Sequence, residues 1–384
     1  MTYASVIDIS LAQLSLAGTI PGSIGYLTAL QVLNFFTNQM TGTIPSGISL
    51  LTVLQMQNLD TNQLTGTIPS GISLLTALQH LVLGTNKLTG SIPSDTSLLI
   101  SLVLLVLGTN QLIHTIPSGI GSLTALQELN FQVNKLTGSI PSGISLLTAL
   151  QHIYLGINQL ASSIPSGIGS LTALQVLHLD TNQLIGTIPS DVSLLTALQY
   201  LYLYANQLTG TIPSGIGSLT ALQVLYLATN KITGTIPDGV SLLTALTWLR
   251  VDTNQLTGTI PSGIGSLTAL NILTLNTNQL TGTIPSGIGS LTALQALYLV
   301  MNQLTGSISS TFSNLIQLSV LHLASNYLTM GSGTTVHNST FSSTTLSGDL
   351  TLYDNCLAFN YGSISVSATN CHPTSGESDC LNIA

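Results

Sequence analysis

The chain is predicted to be an α/β solenoid, a stack of short coils in which a strand, a turn, a second short strand and a helical turn recur in that order. Three observations predict it. Asparagine recurs at positions 38, 62, 86, 110, 134, 158, 182, 206, 230, 254, 278, 302 and 326, with no insertion or deletion between. Proline keeps the same 24-residue step from Pro21 to Pro285. Within each unit the apolar residues first alternate with polar ones and then fall three apart, a change from strand spacing to helical-turn spacing. A fixed period of this length marks a solenoid, in which each unit contacts only its neighbours.

Residues 207–230, QLTGTIPSGIGSLTALQVLYLATN, serve as the type unit. Over residues 222–230, Leu225 and Leu227 face inward while Val224, Tyr226 and Ala228 face out, so stacked copies form a parallel sheet. Asn230 stands where the chain leaves that strand. Its amide is expected to bond backbone groups of its own and the next coil, which would otherwise be buried unpaired. Over residues 232–236, Ile232, Gly234 and Ile236 face inward and Thr233 and Thr235 face out, and Pro237 ends this second strand. In the equivalent of the next segment, Ile264, Leu267 and Leu270 are spaced for one helical or 3₁₀ turn, and glycines permit a tight return. Gln57 breaks the pattern by standing where Leu33 and Leu81 stand, which predicts a local distortion or a buried amide bonded to backbone.

The unit L-x-x-L-x-L-x-x-N-x-L-T-G-x-I-P resembles the plant-type leucine-rich repeat over roughly residues 6–328. The resemblance implies a right-handed superhelix with a concave parallel sheet, a second short-strand face and convex 3₁₀ or short-helix turns. It also implies that the concave face is the usual surface for protein, peptide or glycan ligands. Three segments are expected: a degenerate N-terminal repeat or cap over 1–29, the solenoid over 30–328, and a C-terminal cap over 329–384. Val6, Ile9 and Leu11 already stand in the phase of Leu30, Leu33 and Phe35, with Leu14 in place of the asparagine. Plant-type extracellular repeat proteins usually begin with a cysteine-paired cap; none precedes the first repeat, so Met1 is expected to begin a trimmed segment. The opening residues lack the basic and apolar regions of a signal peptide.

Near the other end Ser309 replaces proline, residues 330–346 are rich in Ser, Thr and Gly, and residues 350–355 read as a last strand and turn. Cys356, Cys371 and Cys380 follow. Three cysteines cannot all pair within one chain, and Cys356–Cys371 and Cys371–Cys380 both suit a cap that covers the open end of the core. Asn338 heads the one N-glycosylation sequon. Together these predict an oxidising, extracellular or cell-surface setting.

Composition narrows the function. Charged residues make up 4% of the chain, and four Lys/Arg against twelve Asp/Glu leave a net charge of −8. Nucleic acids and acidic lipids need clustered positive charge, so neither is expected as partner. No apolar run is long enough to span a membrane. Catalysis needs a nucleophile, a base and an orienting group converging in a pocket. His178 and Asp180 share one strand face, and Glu128 and His152 hold equivalent positions in adjacent repeats, yet no third group accompanies either pair. Both are read as solvated polar positions. A non-enzyme without cofactor or metal is therefore expected.

Recognition is the leading expectation. The outward position between the two core leucines carries ring or guanidinium groups in unbroken succession at Tyr154, His178, Tyr202, Tyr226 and Arg250, with Tyr200, Tyr204 and Trp248 beside them. Such residues dominate binding hot spots because they offer large contact area at low entropic cost. An ice-binding reading stands as the alternative. Thr41, Thr43, Thr65, Thr67, Thr209, Thr211, Thr233, Thr235, Thr257, Thr259, Thr281 and Thr283 belong to two uncharged Thr columns on the second strand. Side chains there would stand about 6.7 Å apart along a strand and about 4.8 Å between coils, similar to the ice-binding face of β-solenoid antifreeze proteins. A structural or self-assembling role is the further alternative. An additional leucine at 50, 74, 98, 146, 194 and 242 would form a stripe for lateral association if exposed, but is expected to be tucked under the turn as ordinary core.

Overall fold

The computed structural model describes residues 6–329 and 350–351. The chain divides into two compact units, Met1–Leu198 and Gln199–Ala384. Both are stacks of the coil that the periodicity predicts. Asn338, Cys356, Cys371 and Cys380 lie outside the described residues.

In the first unit the strands Asp8–Ser10, Val32–Asn34, Met56–Asn58, His80–Val82, Leu104–Val106, Glu128–Asn130, His152–Tyr154 and Val176–His178 pair in that order, all parallel. Each residue faces the one 24 positions on, as Leu129 faces Ile153. In the second unit Tyr200–Tyr202, Val224–Tyr226, Trp248–Arg250, Ile272–Thr274, Ala296–Tyr298 and Val320–His322 do the same, followed by Leu350–Thr351. The inward Leu225, Leu227, Leu249 and Leu273 are buried. Val224 and Ala228, expected to face out, are buried as well. Val224 lies in register between Tyr200 and Trp248, whose larger side chains rise past it.

On the opposite side of each coil a five-residue 3₁₀ helix follows the proline, as at Ser262–Ser266. Pro261 holds an extended backbone before it, where its ring costs nothing because no N–H is needed there. Bonds run three residues back: Ile264 N–H to Pro261 C=O, Leu267 to Ile264, and Leu270 to Leu267. Their side chains fill the core, as their spacing predicts. Where Ser309 replaces the proline, its hydroxyl instead accepts from the Thr311 N–H at 3.2 Å.

The asparagines tie coil to coil. Asn254 Nδ2 donates to Leu227 C=O of the preceding coil at 3.0 Å and to Val251 and Asp252 C=O of its own, while its Oδ1 accepts from Ile232 N–H at 3.0 Å. The neighbour served is thus the preceding coil, not the next one. At the first coil, where Leu14 replaces the asparagine, Asn38 Oδ1 accepts from both Leu14 and Leu16 N–H. The turn has a cost. The residue before each asparagine takes a left-handed backbone with φ near +50°, although it is never glycine: Thr253, Thr277 and even the β-branched Val133 and Ile157 adopt it. Such a conformation costs an L-residue roughly 1–2 kcal/mol. The asparagine bonds offset it.

The second strand differs from expectation. It breaks into short pieces, among them Thr89–Gly90, Gln111–Thr115, Lys135–Gly138 and Gln159–Leu160 in the first unit and Thr281–Thr283, Gln303–Ser307 and Tyr327–Thr329 in the second. Partners are 22 residues apart rather than 24, so Thr43 faces Thr65 and Thr259 faces Thr281. The second Thr of one coil therefore stands opposite the first Thr of the next, and like positions are displaced diagonally rather than stacked at one strand spacing. The intervening glycines are left-handed, with φ +76° at Gly42 and +72° at Gly258. The backbone bends between the two threonines, and like threonines step diagonally from coil to coil.

Two further expectations are corrected. The additional leucines are not tucked under the turn: Leu50, Leu74, Leu98, Leu146, Leu194 and Leu242 are 51–62% exposed. Each closes a 3₁₀ helix whose inward position is already filled by a buried Ile, Val or, before Leu98, Thr96, and is followed by a buried leucine, so no interior space remains for it. Gln57 is fully buried with Nε2 and Oε1 both lacking a hydrogen-bond partner, and the register runs straight through it, Leu33 to Gln57 to Leu81. The strand is too regular to bend an amide toward backbone already committed to the sheet.

Two stability changes follow. Asn254→Ala is expected to lower unfolding free energy by about 2–4 kcal/mol, because it strands buried carbonyls and an N–H as well as removing bonds. Gln57→Leu is expected to raise it by about 1–3 kcal/mol by replacing an unpaired buried amide with a side chain native to that position. Urea unfolding followed by circular dichroism measures both.

Candidate functional site

On the outer face of the second unit's sheet, one residue per coil projects between the inward leucines. Tyr202, Tyr226 and Arg250 hold that position on three consecutive strands, in register with one another. Tyr204, two residues past its strand, folds back over the same face. Its ring stacks on Tyr226 with centroids 4.2 Å apart and planes 26° from parallel. Tyr202 meets the pair at 6.4 Å from Tyr204 and 6.0 Å from Tyr226. Beyond Tyr226 the Arg250 guanidinium lies 4.3 Å from the ring centroid, a cation–π contact.

Arg250 also lies near Asp252, with Nε 3.9 Å from Oδ1, too long for a hydrogen bond. Asp252 Oδ1 instead accepts from the Thr274 hydroxyl at 2.8 Å. Arg250 Nε itself has no hydrogen-bond partner, and the side chain retains one-third of its exposure. The Tyr226 face thus packs against the guanidinium, while the part of the side chain that stays exposed keeps donor capacity toward solvent. Tyr200 and Trp248 flank the row at the start of their strands. The Tyr200 hydroxyl bonds Gln223 Oε1 at 3.1 Å, and Trp248 is exposed. The sequence names all these residues; the fold-back of Tyr204 onto Tyr226 is what it does not specify.

Tyr154 and His178 belong to the first unit. Their rings meet edge to face at 5.0 Å, and His152 stacks on Tyr154 at 6.2 Å. Glu128 faces His152 across the strand pair. These groups are less solvated than expected: His178 is half-buried and Asp180 buried. Gly156 makes room for Asp180, since a Cβ there would come within 2.7 Å of Oδ1. Burial lowers the pKa of His178, opposed by the Asp180 charge. Burial and then the Glu128 charge raise that of Tyr154. Among the described residues no three His, Cys, Asp or Glu side chains converge as a metal site.

The threonines from Thr41 to Thr283 named as candidates on the second strand are exposed, yet their groups serve the coil. The first threonine's hydroxyl donates to the glycine carbonyl of the preceding coil: Thr65 to Gly42 at 3.1 Å, Thr233 to Gly210 at 3.1 Å, Thr281 to Gly258 at 3.3 Å. The second threonine's methyl covers the glycine of the next coil, so a Cβ at Gly66 or Gly258 would stand 2.8 Å from Thr43 or Thr235 Cγ2. Thr-Gly-Thr is thereby an interlock between coils. Open depressions on this flank recur at matching phase, one lined by Thr67, Ile68 and Asp95 and another by Thr235, Ile236 and Asp238. Their recurrence follows from coil geometry rather than from a built site.

The family model described as a leucine-rich repeat region matches residues 132–229 and 189–326. Comparison with curated protein sequences gives no match. Among solved structures, the plant peptide hormone receptor RGFR1 in complex with RGF2 is 36% identical over 84% of this chain and 52% of its own, with a TM-score of 0.82. A TDR receptor is 31% identical over 84% of this chain and 60% of its own, with a TM-score of 0.77. A leucine-rich-repeat protein of the bacterium Leptospira interrogans is 36% identical over 83% of this chain and 78% of its own, with a TM-score of 0.67. The chain thus spans between half and two-thirds of the length of the two receptors. No helix among the described residues is long and apolar enough to cross a membrane.

The lowered pKa of His178 has a measurable consequence. A histidine that binds its proton less readily when folded leaves the unfolded chain to bind it first, so stability falls as pH drops below the ordinary 6.5. Thermal unfolding midpoints recorded downward from neutral pH are expected to fall less steeply in His178→Gln than in the parent chain.

Proposed function

The chain belongs to the plant-type leucine-rich-repeat family, and on that premise we propose that it is a non-catalytic, extracellular or cell-surface module that binds a peptide across the outer face of the second unit's sheet. The observation that carries this reading is the ordered group of Tyr202, Tyr204, Tyr226 and Arg250. A face of parallel strands offers no enclosed cavity, so a compact small molecule would leave most of its surface in water. An extended segment lying across the strands instead meets one outward side chain per coil. Stacked tyrosines give it rigid apolar area, and Arg250, already oriented by Tyr226 and Asp252, loses little entropy when it donates to a ligand carbonyl or carboxylate. The similarity to RGFR1, whose structure holds RGF2, supports a peptide as the ligand class.

Panning a displayed random-peptide library on the purified chain tests the proposal. Selected peptides are expected to lose at least 2 kcal/mol of affinity, roughly 30-fold, on both Arg250→Ala and Tyr226→Ala. Ser266→Ala, on the 3₁₀ side of the coil, is expected to leave them unchanged. Peptides that bind all three variants equally would place recognition elsewhere on the chain.

A further inference from the structure

In the first unit four consecutive 3₁₀ helices, Gly22–Tyr26, Ser46–Leu50, Ser70–Leu74 and Ser94–Leu98, each end on a large apolar side chain that faces solvent. Tyr26 is 81% exposed, and Leu50, Leu74 and Leu98 are 51%, 57% and 56% exposed. Successive helices pack on one another, so the four side chains form one stripe. Val53 and Ile100, on the segments that leave these turns, are also exposed. The coil does not require apolar residues there. The same position holds Ser122, Ser170, Ser218, Ser266 and Ser290 in other coils, each closing an equivalent turn. No coil carries a charge at this position.

We propose that this stripe is the face through which two copies of the chain pair. Its four side chains are each more than half exposed on consecutive coils, a contiguous apolar row rather than the scattered single apolar residues that are ordinary on a monomer's surface. Spacing and charge select the partner. One side chain per coil, at the coil repeat, is matched by another array with the same repeat. In a two-fold antiparallel arrangement Leu50 of one copy meets Leu74 of the other, and Tyr26 meets Leu98. That arrangement sets the exposed Asp95 of one copy beside the Tyr26 hydroxyl of the other, a donor, and keeps the two Asp95 carboxylates apart. A lipid surface suits the stripe less well, because interfacial anchors are flanked by Lys or Arg and the charge in these four turns is acidic.

Sedimentation equilibrium of the full chain across a dilution series tests the pairing. The parent chain is expected to form a dimer. The triple variant Leu50→Ser, Leu74→Ser, Leu98→Ser is expected to weaken it by roughly a hundredfold or more while keeping the parent circular dichroism spectrum, since serine occupies the same position elsewhere. Arg250→Ala, on the other unit, is expected to leave the dimer intact, which separates this proposal from the peptide site. A parent chain that stays monomeric throughout, or a triple variant that dimerises as strongly, overturns the inference. So does a monomer that floats with phosphatidylcholine vesicles through these leucines, which assigns the stripe to lipid.

Discussion

The hydrogen-bonded asparagine at the end of each long-sheet strand is the constraint from which the rest of the coil takes its geometry. Its Oδ1 reaches back 22 residues to an N–H and its Nδ2 back 27 residues to a carbonyl, so a single amide bridges two segments of the preceding coil to its own turn. Few other side chains can supply both donor and acceptor in so short a reach. The turn it closes forces the preceding residue into the left-handed region, and residues as ill-suited as Val133 and Ile157 comply. That compliance measures how strongly the amide determines the local chain path. Where Leu14 interrupts the series, the next asparagine takes over two N–H groups on its own.

Once the coil interior is assigned to leucine, isoleucine and asparagine, the outward positions are released from the fold and free to vary. The two outward surfaces use that freedom differently. On the second strand, Thr-Gly-Thr repeats because its groups lock neighbouring coils: a hydroxyl to a glycine carbonyl, and a methyl over a glycine that admits no Cβ. Regularity there has a structural cause. On the long sheet the outward column changes from coil to coil, and the change concentrates rings and a guanidinium at Tyr202, Tyr226 and Arg250, in contact with one another. In so uniform an array, departure from the repeat carries more functional information than the repeat itself. The same reasoning applies to the 3₁₀ turns, where serine suffices structurally and leucine nevertheless appears.

Much of this was legible without coordinates. Position in the 24-residue frame identifies Leu225, Leu227, Ile264 and Leu267 as core, Tyr226 and Arg250 as outward, and Asn230 as a structural amide, because alternation and three-residue spacing are properties of a few consecutive residues. Other features needed the neighbouring coil. The burial of Val224 depends on the height of Tyr200 and Trp248 beside it. The exposure of Leu74 depends on Ile72 and Leu75 having already filled the space beneath it. Gln57 was visible as an exception, but its lack of any partner depends on how completely the surrounding strands use their own backbone groups.

By itself, then, the sequence determined the period, the composition of every coil and the membership of each column, since those are counted along the chain. Tertiary structure decided how one coil lies on the next. It set the second strand's pairing 22 residues apart instead of 24, turned two expected straight threonine columns into a diagonal interlock, and laid Tyr204 and Arg250 on opposite sides of Tyr226. The physical reason is that a repeat length specifies which residues are equivalent. Their offset across the gap between coils is the outcome of hydrogen bonds and steric contacts that form only when the coils are stacked.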